Sequence, residues 1–115
     1  MKKLILSGLL LFLGAFIVSA QDLPSIRIVN NTGYPVYNIY ISPSENETWG
    51  EDFLGEDILE NGQIFTCRLS TPLSEINVYD IGLEDEDGNA YFKWEQTLAN
   101  DIRIVFTEDD LDEDY

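Results

Sequence analysis

The feature that most constrains the fold of this chain is a set of short runs in which apolar and polar residues alternate. The period of alternation is two, whereas an amphipathic helix repeats after about 3.6 residues. A period of two places successive side chains on opposite faces of a strand, so that each run can bury one face. The runs are 23–30, 36–42, 64–69, 76–83, 90–98 and 102–106. They predict an all-β fold, either a small antiparallel β-sandwich or an open barrel of about six to seven strands.

Turn residues lie between the runs. Asn31-Thr32-Gly33-Tyr34-Pro35 separates the first two runs, and Asn61-Gly62 predicts a hairpin corner before the third. The run 76–83 changes face midway, because Ile76 and Val78 are out of phase with the alternation that follows. This change predicts either a β-bulge or a strand that is buried on both sides.

The N-terminus has the three parts of a signal peptide. Lys2 and Lys3 precede an uncharged apolar run, 4–18, and the small residues Ser19 and Ala20 follow it. The alternative is a retained anchor, but the run is shorter than the ~20 residues that a spanning helix needs. We therefore predict a signal peptide over residues 1–20 and a product that is soluble, periplasmic or extracellular, and not inserted in the membrane.

Charge and composition exclude several classes of function. The chain has 22 acidic and six basic residues, no His and one Cys, and its net charge is −16. A chain without a basic footprint is not expected to bind nucleic acid. A chain without His and with a single Cys lacks the usual general bases and zinc ligands, so we expect no enzyme and no cofactor. A monomer whose partner is an unknown protein or a cationic envelope component fits this composition.

The mature chain divides into a β domain, 21–107, and an acidic flexible tail, 108–115. The tail carries six acidic residues, and like charges at that density repel one another. After removal of residues 1–20, four basic residues remain against all 22 acidic ones, which gives a net charge of −18. Screening by salt is therefore expected to stabilise the domain.

A long polar segment, 42–60, interrupts the strands and is the place where a binding site is expected. Trp49, Glu51 and Asp52 in this segment suit a cationic or sugar-like partner, because a large ring can stack and the carboxylates attract cations. The alternative is structural. Trp49 and Phe53 would then fold back over one end of the sandwich and add to a small core.

The acidic segment 85–89 allows a calcium site, with Asp85, Asp87 and Asn89 as candidate ligands, because calcium is bound by clustered carboxylate and amide oxygens. The segment departs from the EF-hand loop, since Ala90 and Gln96 stand where that loop has its Gly and its Glu. A hairpin turn that uses Asp87-Gly88 explains the same residues, and we prefer that interpretation.

Cys67 is in phase with Phe65 and Leu69, which predicts a buried thiol. A reactive thiol and an intermolecular disulfide are the alternatives that an odd Cys raises in an exported chain.

The order of five segments forms a further pattern. They are Ile28-Val29-Asn30-Asn31-Thr32-Gly33, Tyr40-Ile41-Ser42-Pro43-Ser44, Trp49-Gly50-Glu51-Asp52-Phe53-Leu54-Gly55, Tyr79-Asp80-Ile81 and Asp85-Glu86-Asp87-Gly88. With this Ser-Pro-Ser and Trp-Gly-x-Asp pattern, the chain resembles an uncharacterised family of small secreted bacterial β domains. The resemblance covers residues 26–110. It implies an exported all-β domain and brings no catalytic residues to carry over.

These observations predict an exported, non-catalytic binding or structural module of the bacterial cell envelope. The alternative is a calcium-stabilised secreted β domain. A third class is an enzyme that uses a pair of carboxylates, as in glycoside hydrolysis, and it needs two carboxyl groups that face each other across a cleft.

We predict that the mature protein begins at Gln21, because Ser19 and Ala20 complete a cleavage site after the apolar run. Intact-mass measurement on exported material checks this. A membrane fraction that retains Met1 and the apolar run would show that the segment is an anchor.

Overall fold

The computed structural model describes residues 23–114, which form six strands in two three-stranded sheets. The strands are β1 (Ser25–Asn31), β2 (Val36–Pro43), β3 (Ile64–Arg68), β4 (Val78–Asp85), β5 (Ala90–Thr97) and β6 (Ile102–Thr107). The first sheet has the order β3-β1-β6 and the second has the order β2-β4-β5. Each predicted run overlaps one of these strands, so the all-β prediction is confirmed.

The two sheets bury their facing sides in one hydrophobic cluster. Ile26, Ile28 and Phe106 of the first sheet and Ile39 and Ile81 of the second are fully buried. All five belong to the same cluster of contacting side chains. Since inward positions alternate with outward ones along each strand, the period of two in the sequence reports this core directly.

The central strand β1 pairs antiparallel with β3 and parallel with β6. In the second sheet, β4 pairs antiparallel with both β2 and β5. The β1–β6 pair therefore differs from the antiparallel arrangement that the sequence predicts. Alternation within a strand indicates which face is buried but not the direction of its neighbour. The parallel pairing of β1 and β6 therefore could not be predicted from it.

The change of face in the run 76–83 has two structural causes. Ile76 precedes β4, which begins at Val78, so the first apolar residue of the run is not part of the strand. In addition, the pairing of β4 with β5 shifts between Tyr79 and Ile81. The predicted bulge is thus present, but its extra residue lies on the partner strand β5.

Asn30 fixes the point where the chain leaves the first sheet for the second. Its side chain is fully buried and its Nδ2 donates to the carbonyls of Tyr34 and Leu59, at 2.8 and 2.9 Å. Its Oδ1 accepts hydrogen bonds from the backbone N–H and the hydroxyl of Thr32. Its backbone N–H donates to the carbonyl of Gln63. Asn30 therefore connects the β1–β2 turn with both sides of the turn before β3. This turn at Asn61-Gly62 is not the predicted hairpin corner, because β3 pairs with β1 whereas Leu59, on the other side of the turn, pairs with Val36 of β2.

The polar segment after β2 returns along the edge of that strand. The carboxylate of Asp52 accepts hydrogen bonds from the backbone N–H of Ile39 and from Nδ2 of Asn38, at 2.9 and 2.8 Å. Further along, Leu59 and Val36 exchange both backbone hydrogen bonds. The segment thereby covers an edge that would otherwise present unpaired backbone groups to another chain.

The first part of the acidic tail packs against β5. Residues Glu108–Asp110 form a 3₁₀ turn whose N-cap is Thr107 with a capping box to Asp110. The backbone N–H of Asp112 donates to the carbonyl of Ala90, and Leu111 bridges to Tyr91. Residues 108–112 thus contact β5 and β6, although the sequence predicts a flexible tail from residue 108. The flexibility of the tail stays a prediction.

The outward positions of the first sheet contain no acidic residue. Arg27 and Arg103 lie side by side on the paired strands β1 and β6, and both are exposed, as is Arg68 on β3. We call this surface, with Ile64, Thr66, Val29 and Val105, the arginine face. The one ion pair among residues 23–114 is Lys93–Asp110, at 3.2 Å, so none of the three arginines pairs with a described carboxylate.

The predicted signal peptide, 1–20, and the predicted mature N-terminus at Gln21 lie outside the described residues. Within 23–114, no helix is long and apolar enough to cross a membrane.

We predict that Cys67 reacts slowly with a thiol reagent in the folded protein. Its side chain is 7% exposed in the core between the sheets, and burial raises the pKa of the thiol, so little thiolate is present at neutral pH. Labelling kinetics with and without denaturant measure this. Rapid stoichiometric labelling without denaturant, or a disulfide-linked dimer as the main native species, would contradict the core position.

Candidate functional site

Four aromatic side chains meet on the outward face of the second sheet. Tyr40 of β2 and Phe92 of β5 lie on either side of Gly82 of β4, because both are register partners of that glycine. Trp49 comes from the segment after β2, and Trp94 lies two residues beyond Phe92. We call these four residues the aromatic cluster. It lies on the opposite side of the sandwich from the arginine face.

The rings of the aromatic cluster are in direct contact. Trp49 stacks on Phe92 with centroids 5.6 Å apart and an interplanar angle of 13°. Trp94 lies 5.5 Å from Trp49 and 4.8 Å from Phe92 in tilted geometry, and Tyr40 lies 6.3 Å from Trp49. Aromatic pairs with centroids about 4.5–7 Å apart contribute more to stability than the burial of their surface alone.

Gly82 is what allows the rings to lie close to the sheet. A Cβ at this position would come within 3.1 Å of Cε1 of Phe92 and 3.5 Å of Cη2 of Trp49. A methyl group would therefore require Phe92 to shift slightly while leaving ordinary contact with Trp49, and a larger side chain would compete with both rings for this space. A glycine in the interior of a strand commonly marks such a close approach.

A bulge in β5 positions Trp94. Between the pairs Tyr79–Gln96 and Ile81–Lys93, β5 has one residue more than β4. Glu95 takes up this residue with a φ of 50°, and its N–H donates to Oδ1 of Asp80 at 2.8 Å. Bulges re-aim the side chains beside them. Here Trp94 lies against Trp49 with 54% of its surface exposed.

A groove with a volume of about 220 Å³ lies between the two tryptophans and the segment that carries Trp49. Its lining includes the acidic residues Glu47 and Asp80. The lining residues are Ser42, Asn46, Glu47, Thr48, Trp49, Asp80 and Trp94. The groove thus combines two ring surfaces with two acidic groups.

The three residues proposed for a binding loop from sequence do not lie together. Trp49 belongs to the aromatic cluster on the outward face of the second sheet. Glu51 lines a different cavity, which it shares with Phe53 and Arg68. Asp52 holds the segment to β2 through the bonds to Asn38 and Ile39 and accepts a further one from the N–H of Leu54. Asp52 therefore holds the segment against β2 through its hydrogen bonds.

The alternative prediction, that Trp49 and Phe53 both fold back over one end of the sandwich, does not hold for both residues in the same way. Phe53 packs against the hydrophobic core, as a residue that enlarges a small core does. Trp49 instead contacts Phe92 and Trp94 on the outer surface of the sheet. It does not close an end of the sandwich.

Sequence reasoning did not identify Phe92 and Trp94 as surface residues, and it assigned neither Tyr40 nor Gly82 to a site. It considered Asp80 only as a possible further ligand of the calcium site. The alternation in the run 90–98 marks Phe92 and Trp94 as one face, but the residues buried at the start of β5 are Ala90 and Tyr91. The available signal was Gly82 in the middle of an apolar strand, which indicates that another group approaches the backbone.

The carboxylate of Asp85 closes the β4–β5 turn. It is 4% exposed, and its Oδ1 accepts hydrogen bonds from the backbone N–H of Asp87 and of Asn89, both at 3.0 Å. Its Oδ2 accepts from Nδ2 of Asn89 and from the hydroxyl of Tyr91. Burial and this bond to Asp85 raise the pKa of Tyr91 to about 12.

Asp85, Asp87 and Asn89 thus lie in one turn, and both carboxylate oxygens of Asp85 accept hydrogen bonds from N–H and O–H groups of the protein. Gly88 has a φ of 85°, whereas Asp87 does not share the left-handed conformation that the hairpin interpretation gives it. Within residues 23–114 the side chains of His, Cys, Asp and Glu form no group of three or more placed to hold a metal ion. The calcium hypothesis itself stays a prediction.

Comparison with known proteins gives one structural similarity. No family model matches the chain, and the search of curated proteins finds no match. A solved structure, "NMR structure of the protein from Eubacterium rectale", superposes with a TM-score of 0.58 at 15% identity. The similarity covers 76% of this chain and 80% of that one. At this identity it concerns the fold alone.

We predict that Asp85→Asn lowers the free energy of unfolding by about 1–3 kcal/mol, because a buried acceptor of four hydrogen bonds is replaced by a group that brings its own N–H donors. Asp87→Asn is the matched control and should change it by less than about 0.5 kcal/mol, since Asp87 is exposed. Chemical denaturation measures both values.

Thermal melts with calcium complete this test. Calcium should raise the melting temperature no more than sodium chloride at the same ionic strength, because both screen the same negative charge. A gain that only calcium produces, and that is lost when Asp85 and Asp87 are both replaced by Asn, would establish a calcium site in this turn.

Proposed function

We propose that this protein is an exported, non-catalytic binding module of the bacterial cell envelope, and that its ligand contacts the aromatic cluster. The observation that carries the proposal is the exposure of Trp94, 54%, above the groove between Trp49 and Asp80. An exposed tryptophan beside a concave surface is typical of binding sites.

The way the cluster is built supports a binding role. Gly82 and the left-handed Glu95 both weaken the sheet locally, since glycine adds no packing and a positive φ is costly for a residue with a Cβ. These features keep the rings in place on the surface of the sheet. If the rings served only to stabilise the fold, burying Trp94 would contribute more to the free energy of unfolding than leaving it exposed.

The sequence supports the remaining parts of the proposal. Residues 1–20 have the composition of a signal peptide, and the resemblance to small secreted bacterial β domains points to the same compartment. The absence of His from the sequence makes general acid–base chemistry difficult and favours a non-catalytic role.

We predict that Trp94→Ala abolishes retention of envelope material by the immobilised mature domain, because the substitution removes the exposed ring of the cluster. Tyr34→Ala is the matched control, since Tyr34 is 58% exposed and lies in the β1–β2 turn outside the cluster. The measurement is the amount of each envelope component retained by the wild type and by both variants at equal loading.

Thermal melts confirm that the two variants are folded. Components that the wild type and Tyr34→Ala retain and Trp94→Ala loses support the proposal. Equal retention by all three proteins, or none by any, would contradict a binding role for the aromatic cluster.

A further inference from the structure

We infer that the groove beside Trp49 and Trp94 binds a positively charged ammonium or guanidinium group of its ligand. The inference rests on the proposed function, because it names the chemistry of the ligand at the same site.

Among the described residues, those that line the groove include acidic residues and no basic one. Glu47 and Asp80 line the groove, and Glu84 follows on the outward face of β4. Residues 28–67, which include β2 and the segment that carries Trp49, contain no Lys, Arg or His, and neither does β4. No basic residue of these segments is thus available to neutralise the groove.

The lysine of β5 does not supply the missing cation. Nζ of Lys93 bonds to Oδ1 of Asp110 at 3.2 Å and lies 5.4 Å from the ring of Phe106, which belongs to the core. Lys93 pairs with Ile81, whose side chain is fully buried in that core. Within residues 23–114, no basic side chain lines the groove, so its acidic residues are left to a cation of the ligand.

The two tryptophans provide the second part of the site. An ammonium or guanidinium group is attracted to the face of an aromatic ring, and tryptophan binds cations best among the aromatic residues. Carboxylates beside the ring add attraction that acts over several ångströms. Glu47 and Asp80 line the same groove as Trp49 and Trp94.

The hydrogen bonds inside the groove favour a cation over a neutral sugar. Oδ1 of Asp80 already accepts from the hydroxyl of Ser44 and the N–H of Glu95, both at 2.8 Å. The hydroxyl of Ser42 donates to the carbonyl of Thr48. Recognition of a sugar depends on directed hydrogen bonds from its hydroxyls, whereas the charge of Asp80 attracts a cation even when one oxygen is occupied.

Intrinsic fluorescence gives a specific readout, because the chain contains two tryptophans and both lie at the groove. The mature domain is titrated with pentalysine and with pentaarginine. Penta(N-acetyl-lysine) has the same backbone and side-chain length without the charge, and a neutral N-acetylglucosamine oligomer represents the sugar alternative.

Charge variants separate the groove from the general acidity of the domain. Glu47→Gln removes a carboxylate that lines the groove, and Glu56→Gln removes an exposed one outside its lining. Both change the net charge equally. We expect Glu47→Gln to weaken pentalysine binding roughly fivefold and Glu56→Gln to leave it within about twofold, because attraction between charges falls with distance and with screening.

The outcomes are distinct. Quenching by both charged peptides, its absence with the acetylated peptide and the difference between the two Gln variants support the inference. Equal weakening by both variants would mean unspecific attraction, and binding of the sugar alone would mean the wrong ligand class; either result overturns the inference. Retention of envelope material that depends on Trp94 would still uphold the proposed function in those cases, so the two failures can be told apart.

Discussion

The buried amide of Asn30 is the interaction on which the connection between the two sheets depends. It lies where β1 ends, and its side chain bonds to the turn that leads to β2 and to the carbonyl of Leu59. Loss of the amide would take away the acceptor of the buried N–H of Thr32, at a cost of about 1–3 kcal/mol, and one of two hydrogen bonds at each of the carbonyls of Tyr34 and Leu59. The segment between β2 and β3 is therefore held in its middle, by Asp52 on the edge of β2, and near its end, by Asn30 at Leu59.

The same segment delivers Trp49 to the outer surface of the second sheet. Trp49 lies between the carbonyl of Thr48, which accepts from the hydroxyl of Ser42, and Asp52 on the edge of β2. Gly82 in the central strand β4 leaves room for its ring to approach the backbone. The bulge at Glu95 turns Trp94 toward that ring. The candidate site is thus built from a strand interior, a bulge and a loop, and none of the three forms it alone.

The six strands could be predicted because each one buries alternate residues, and this requirement is local. The direction of β6 and the path of the segment after β2 could not, because they depend on pairs far apart in sequence, such as Ile39 with Asp52. The aromatic cluster was missed for a related reason. Phe92 and Trp94 resemble core residues in the sequence, and only the register with Gly82 places them on the outer face.

The arrangement of charge on the sandwich has a mechanical consequence. The arginine face and the acidic groove lie on opposite sides of the two sheets, so the domain has a component of its electric dipole perpendicular to them. In the field of a negatively charged surface such a molecule experiences a torque that turns the arginines toward the surface and the tryptophans away from it. The orientation is strongest within about 10 Å of the surface at 0.1 M salt, because ions screen the field beyond that distance. A domain turned in this way would hold its groove open to the surrounding solution.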